Sequence, residues 1–423
     1  MSADPPPRGT FGRYWAAAAI SSAGSAVTAV AMPVLVVQLL GATPFEVGMV
    51  NAAQFLPYAL LGIFVGVLTD RWRRKPILVW ASVGRALSLG VIPILWLVGV
   101  LEIWMLVCAL LLFGAFSVFG FAAAQSLLPR LVPRERLLHA NARLDQSDAA
   151  AQTAGPTLGG ALVGLVGAPL TIALDAISYL VDAALNASLR VHEPTRSRHG
   201  SKLWREIGEG LHWTYRHPML GPLTWSSHVW FVANGAAMTV LSLLALRQLG
   251  FSPLTFGFLL TVFGTAALVG ASISPRLSIR LGAGRAVVAA RCLYPIAWIL
   301  VAAAPAGTAG TVLLFVALAL QGLAMGAENS PEQVLWQTLT PDDLLGRTNA
   351  TRRAGNRTLA ACGALIAGLL VGVIGERQAL LCVVVVFAAA AVMAVCSPLR
   401  RDSNGRWFVA GRRNSAVVDC PHG

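Results

Sequence analysis

Long stretches without charge alternate along this chain with short clusters of bases. Tyr14 to Phe45 holds no charged residue, and neither does Val47 to Thr69. The second of these has 23 residues, enough to cross a bilayer, since about 20 suffice at ~1.5 Å per residue. Further apolar stretches run from about Pro76 to Val100, Ile103 to Leu128, Ala168 to Leu189, Met219 to Leu246 and Pro253 to Ser274. A Gly-rich stretch follows Arg143. Ala286 to Trp336 holds two spans, broken by Pro305, Gly307 and Gly310, and Thr358 to Leu399 holds two more. The pattern predicts an all-α membrane protein of about twelve transmembrane helices.

The bases set the orientation. Of 32 Lys and Arg, 28 fall in the terminal segments and in alternate loops; Arg247 and Arg377 lie on the other side, and Arg85 and Arg291 inside spans. This asymmetry places both termini and the basic loops in the cytoplasm of a multi-pass cell-membrane protein. The net charge of +13 therefore reports topology and not nucleic-acid binding. A hydrophobic content of 56% with 12% charged residues excludes a soluble globular protein. Cys108, Cys292, Cys362, Cys382 and Cys396 sit in apolar runs and Cys420 in the tail, with no metal or disulfide spacing. The first apolar run is too long for a signal-peptide core. No cofactor is expected.

The halves repeat. A shift of 208 residues puts Pro133 on Pro341, Leu137 on Leu345, Asn141 on Asn349, Gly155 on Gly363, Gly160 on Gly368, Gly164 on Gly372 and Gly167 on Gly375. The polar stretch Arg190 to His217 lies between the copies and is amphipathic from Leu203 to Tyr215. The expected organisation is a tail (1–12), a six-helix half (13–189), a cytoplasmic linker (190–217), a second six-helix half (218–399) and a tail (400–423).

Two motifs stand out. Gly66-Val-Leu-Thr-Asp70-Arg71-Trp-Arg-Arg74-Lys75 makes a tight turn between the second and third spans. It resembles the Gly-x-x-x-Asp-Arg-x-Gly-Arg-Lys loop of the major facilitator superfamily, with Arg73 in place of the inner Gly. Gly155-Pro156-Thr-Leu-Gly159-Gly160 in span 5 resembles the Gly-Pro-x-x-Gly-Gly core found in exporters and antiporters of that superfamily. Small residues allow close helix contact, and the Pro frees a backbone carbonyl. Thr340-Pro341-Asp342 and Gly346 to Arg352 look most like the branch of enterobactin and macrolide exporters. The resemblance covers Phe11 to Leu399. It implies the major facilitator fold: two six-helix pseudo-repeats that rock about a midplane site. It also implies gating by Gly66, Asp70, Arg71, Arg74 and Lys75, and efflux of hydrophobic or amphipathic small molecules (a drug, siderophore or secondary metabolite), linked to drug resistance, by a monomeric proton antiporter. A non-transporting sensor on the same fold, or a transporter of other coupling or direction, are the alternatives. No P-loop, nucleophile–base pair or metal constellation is present, so no enzyme is expected.

Polar residues inside spans are the candidate chemistry, because charge there is costly. Ser25 stands where the resemblance implies an acid in span 1. The candidate proton sites are Glu328, Asp182 and Glu332; Glu328 and Glu332 are four residues apart and could share a proton. Arg85, Arg291 and Asp175 are candidate ion-pair or structural charges. Gln54, Phe116, Trp230 and Asn234 are candidate cavity-lining residues. Phe113, Phe119 and Phe121 accompany Phe116 on span 4, where they face either a cavity or lipid.

Overall fold

A computed structural model describes residues 10–191, 203–342 and 344–401. In chain order the helices are α1 (Thr10–Val34), α2 (Pro44–Ala53), α3 (Pro57–Arg71), α4 (Arg74–Val98), α5 (Ile103–Leu131), α6 (Leu137–Val166), α7 (Ala168–Ala187), α8 (Leu203–Arg216), α9 (Leu220–Leu243), α10 (Pro253–Leu281), α11 (Ala283–Ala303), α12 (Thr308–Leu339), α13 (Leu345–Ile374) and α14 (Glu376–Cys396). Ten helical segments among the described residues are long and apolar enough to cross a membrane. The stretch read as span 2 is instead two helices. Pro57 opens α3, where it has no N–H to give to the preceding turn, and the break falls at Gln54 to Leu56. The Gly66–Lys75 turn is as short as expected: α3 ends at Arg71 and α4 starts at Arg74.

Three predicted loops are shorter than expected. Helix α6 already begins at Leu137, α10 continues through Pro275 to Leu281, and α13 begins at Leu345. Arg352, Arg353 and Arg357 thus belong to a helix and not to a loop. Polar residues at these helix ends masked the apolar periodicity that follows them.

The internal repeat is visible in the backbone. Helices α6 and α13 start 208 residues apart and end 208 residues apart (137 to 345, 166 to 374). Gly167 and Gly375 close them at φ 86° and 85°. A second correspondence was not anticipated. Helix α1 runs into a π-helical turn, Leu35–Leu39, and α9 into another, Leu244–Gln248. Gly41 (φ 61°) and Gly250 (φ 62°) then reverse the chain. The side chains of Thr43 and Ser252 cap the next helices, which open with Pro44 and Pro253. Glycine is needed at φ near +60°, and a hydroxyl followed by Pro suits the N-cap and first helical position.

Helix α1 packs on α6 and α7, and α4 on α5 and α7; likewise α9 packs on α13 and α14, and α11 on α12 and α14. Two seams join these groups: α2 and α3 against α13, and α6 against α10. The linker helix α8 docks on α9 and α13. Arg347 of α13 holds it through Glu209 at 2.6 Å and Glu206 at 3.6 Å.

Candidate functional site

Each group of helices carries a sealed charge cluster. In the first, Arg85 of α4 lies 3.6 Å from Asp182 of α7. Ser82 donates to one Asp182 oxygen, and Asn186 Nδ2 donates to the other at 2.9 Å. The Arg85 guanidinium also lies over the Tyr179 ring, 4.4 Å from its centroid. About two turns away on α7, Asp175 is 1% exposed and has no ion pair within 4 Å among the described residues. It accepts from Thr28 of α1 at 2.7 Å and from Ser178 at 3.1 Å. Asp175 also sits directly against Gly24 of α1, where a Cβ would meet its oxygen. Ser25 bonds Tyr179 at 2.7 Å. A carboxyl from α7 thus stands beside the part of α1 that lacks its own acid.

In the second cluster, Arg291 of α11 is 2% exposed. Its Nε meets Glu328 Oε1 at 2.6 Å, and its Nη2 meets Glu332 Oε2 at 3.3 Å. Ser226 and Ser227 of α9 accept from the same guanidinium, Ser227 at 2.7 Å. Arg352 of α13 reaches the other Glu332 oxygen at 2.9 Å. Glu328 and Glu332 are therefore joined by Arg291 and not by a shared proton. Two carboxylates and two guanidiniums link α9, α11, α12 and α13 into one network. Glu328 Oε2 is buried with no hydrogen bond of good geometry, and the Tyr294 hydroxyl of α11 stands against the same carboxyl.

The Gly-Pro-x-x-Gly-Gly motif serves two contacts. Gly155 faces Ala26 of α1, and a Cβ on Gly159 would sit 2.7 Å from the Val27 carbonyl oxygen. Gly160 faces the other way, onto the Pro253 carbonyl of α10, while the Pro156 carbonyl lies over Gly257. Its repeat mate Gly368 does the same in the other seam: a Cβ there would meet the Pro44 carbonyl of α2 at 2.6 Å. In the other motif, Arg74 is buried and Lys75 half-buried at the start of α4, while Gly66, Asp70 and Arg71 lie in the last turns of α3, where the surroundings of these residues fall outside what the structure describes.

The four cavity candidates divide. Gln54 and Asn234 are half-buried, and neither side chain has a hydrogen-bond partner among the described residues. Phe116 is a correction: its ring lies on Gly84 and fills the α4–α5 seam. Trp230 is another: it is 9% exposed and packs edge-on against Phe231, Tyr294 and Phe387. Nor do the other span 4 rings simply face lipid. Phe113 meets Tyr179 edge-on at 5.8 Å, and Phe121 lies under Arg353, 3.5 Å from ring centroid to guanidinium carbon.

Ser226, Ser227, Thr28, Tyr179 and Arg352 escaped the sequence reading. The arginine had a usable signal: no Pro follows Pro341 until Pro398, so nothing in the sequence demands that the helix start after Arg357. The hydroxyls had none, because an isolated Ser in a membrane helix is ordinary.

Ten apolar spans, intramembrane ion pairs and glycine seams among the described residues define a polytopic membrane protein, and the family match places it in the major facilitator superfamily. The family described as transmembrane secretion effector matches residues 2–407, and the chain belongs to it. It is 26% identical over 377 residues to the uncharacterized MFS-type transporter YfiS of Bacillus subtilis, covering 86% of this chain and 87% of that protein. It is also 26% identical over 404 residues to the multidrug efflux pump Tap of Mycolicibacterium fortuitum, covering 91% and 95%. In fold it is similar to a crystal structure of the nucleoside transporter NupG, with TM-score 0.75, 11% identity and coverage of 91% and 99%. The protein is thus a membrane transporter that moves small molecules across a bilayer, and it resembles transporter families that are not enzymes.

Proposed function

We propose that this protein exports hydrophobic or amphipathic small molecules in exchange for protons. In this reading twelve spans form two six-helix halves, 13–189 and 218–399, in the cell membrane of a monomer with both termini cytoplasmic. The halves rock about a midplane site. The observation that carries the reading is the pair of seams between the halves. In both, a glycine of one half lies on a first-turn carbonyl of the other: Gly160 on Pro253, and Gly368 on Pro44. Close backbone contact without interlocking side chains suits surfaces that must slide and separate. The export direction rests on the Gly155–Gly160 motif and on similarity to Tap. The Gly66–Lys75 turn is the cytoplasmic gate in this reading, on the strength of its resemblance to the superfamily loop.

Glu328 is the proton site of choice. Its Oε1 holds Arg291, while Oε2, beside the Tyr294 hydroxyl, is the oxygen left to take a proton. Protonation would weaken the hold on Arg291 and, through Glu332 and Arg352, the packing of α13, which forms one seam. Each proton moved inward gains about 2.3 kcal/mol per 100 mV of membrane potential. Proton-driven uptake into inside-out vesicles tests this. Glu328→Gln should abolish uptake and leave substrate binding measurable. A wild-type rate across the pH range would end the assignment and move attention to Asp182. Absence of any gradient-driven movement by the wild-type protein would favour the sensor reading.

A further inference from the structure

Arg353 and Arg357 of α13 meet no acid among the described residues. The other intramembrane cations are neutralised: Arg85 by Asp182, Arg291 by Glu328 and Glu332, and Arg352 by Glu332. Arg353 and Arg357 have no ion pair and no hydrogen bond among the described residues. Their titratable neighbours are each other, Arg352 and Tyr58. They stand about two and three turns inside α13, at 3.6 residues per turn, and four residues apart, so like charges share one helix face. They lie toward the N-terminal end of α13, so the roughly 2.5–3.5 kcal/mol that a cation costs at the centre of a span is an upper bound for each.

What meets them is aromatic and comes from the first half. Arg353 lies over Phe121 of α5 at 3.5 Å. Arg357 lies over Phe55 at 5.0 Å and near Tyr58 of α3 at 6.0 Å. Ring faces hold guanidiniums by about 0.5–2 kcal/mol each. That offsets part of the cost but leaves the N–H edges unbonded. Both residues are partly exposed, and the contacts lie between the two halves, where a substrate must pass.

We propose that Arg353 and Arg357 bind the anionic group of an amphipathic substrate, a carboxylate or phosphate, with Phe55, Tyr58 and Phe121 receiving its apolar body. Two guanidinium forks can each give paired N–H bonds to one oxyanion. The anion would supply the charge that α13 lacks. This narrows the substrate class of the transporter reading and rests on that reading only in placing the site on the transport route. It is independent of the coupling ion.

The test is binding without a gradient, so its failure is distinct from a failure of proton-driven transport. The protein in phosphatidylcholine nanodiscs is titrated with 1-naphthaleneacetate, its neutral amide and 1-naphthylethylammonium, and intrinsic tryptophan fluorescence is followed. The anion should bind at least about ten-fold tighter than the amide, about 1.4 kcal/mol, and the cation weakest. Arg353→Gln with Arg357→Gln should abolish the preference. Arg353→Lys with Arg357→Lys should retain part of it, which guards against misfolding of the Gln pair. Equal affinities for the three probes, no binding of the anion, or a preference unchanged in the Gln pair would overturn the proposal. Displacement of the probe by adding phosphatidylglycerol to the nanodiscs would reassign the arginines to lipid headgroups and overturn it equally.

Discussion

At the scale of the residue, many buried polar groups are matched by a neighbour, while others, such as Trp298 Nε1 and Gln321 Oε1, are buried without one among the described residues. His217 shows the matched case outside the membrane spans. It precedes α9, and its Nδ1 accepts from the backbone N–H of Met219 at 3.2 Å and of Leu220 at 3.1 Å. The imidazole thus does the work of an N-cap. Burial pushes its pKa below the usual histidine range, and the cap needs the neutral ring, since a protonated Nδ1 accepts nothing. The sign follows from linkage. A group that stays neutral longer in the folded state adds stability above its unfolded pKa, and that contribution is lost as pH falls through the folded value. Thermal unfolding of the purified protein between pH 7.5 and 5 should show a decline that His217→Ala flattens. At pH 7.5 the same variant should cost about 1 kcal/mol, the usual worth of a cap. An unchanged pH profile in the variant would remove the capping role. The sequence placed His217 at the end of a linker and offered no hint of this contact, because the acceptor geometry depends on the turn at Pro218.

At the scale of the element, α6 and α13 carry the argument. Their 208-residue register was readable from Pro133, Asn141 and the glycines. What each glycine touches was not. Gly155, Gly159 and Gly160 look alike in sequence, yet the first two meet α1 in the same half and the third meets α10 in the other. Helix rotation sorts them, and single-sequence spacing fixes rotation only when an apolar stripe marks one face. In a helix apolar on most sides no such stripe exists. The two π-helical turns were invisible for a related reason: Leu35–Leu39 and Leu244–Gln248 have no local code, although the Gly-x-Thr/Ser-Pro that follows each was there to be matched. The difference between the glycines gives a prediction. Gly160→Leu should wedge α6 from the Pro253 carbonyl and reduce transport at least ten-fold with normal membrane insertion. Gly164→Leu is the control, since a Cβ there meets nothing within 4 Å. Gly155→Leu should instead lower stability by parting α6 from Ala26 within one half. Wild-type efflux from Gly160→Leu would show that the seam does not have to stay close.

At the scale of the whole molecule, one set of ties between the halves lies at the end marked by Gly41 and Gly250, apart from the Thr157–Thr261 bond at 2.8 Å between α6 and α10 and the ring contacts of Arg353 and Arg357. Gln38 donates to the Phe251 carbonyl at 2.9 Å and to that of Leu246 at 3.3 Å, Arg247 donates to the Ala42 carbonyl, and Asn51 donates to Thr239 at 3.1 Å. Most of these are side chain to backbone bonds that water can replace, each worth about 1 kcal/mol net. A latch of that strength closes the end without fixing it, which alternating access requires. If the halves part there in every cycle, holding them together must stop transport. The six cysteines can be changed to Ser, and Gln38→Cys with Leu246→Cys then places one thiol in each half across the latch. A short bifunctional thiol reagent should stop transport in vesicles, and reduction of a cleavable version should restore it. Either single cysteine variant treated alike should keep its rate. Transport that continues after complete cross-linking would mean that this end never opens, and would count against rocking of the halves as the transport motion.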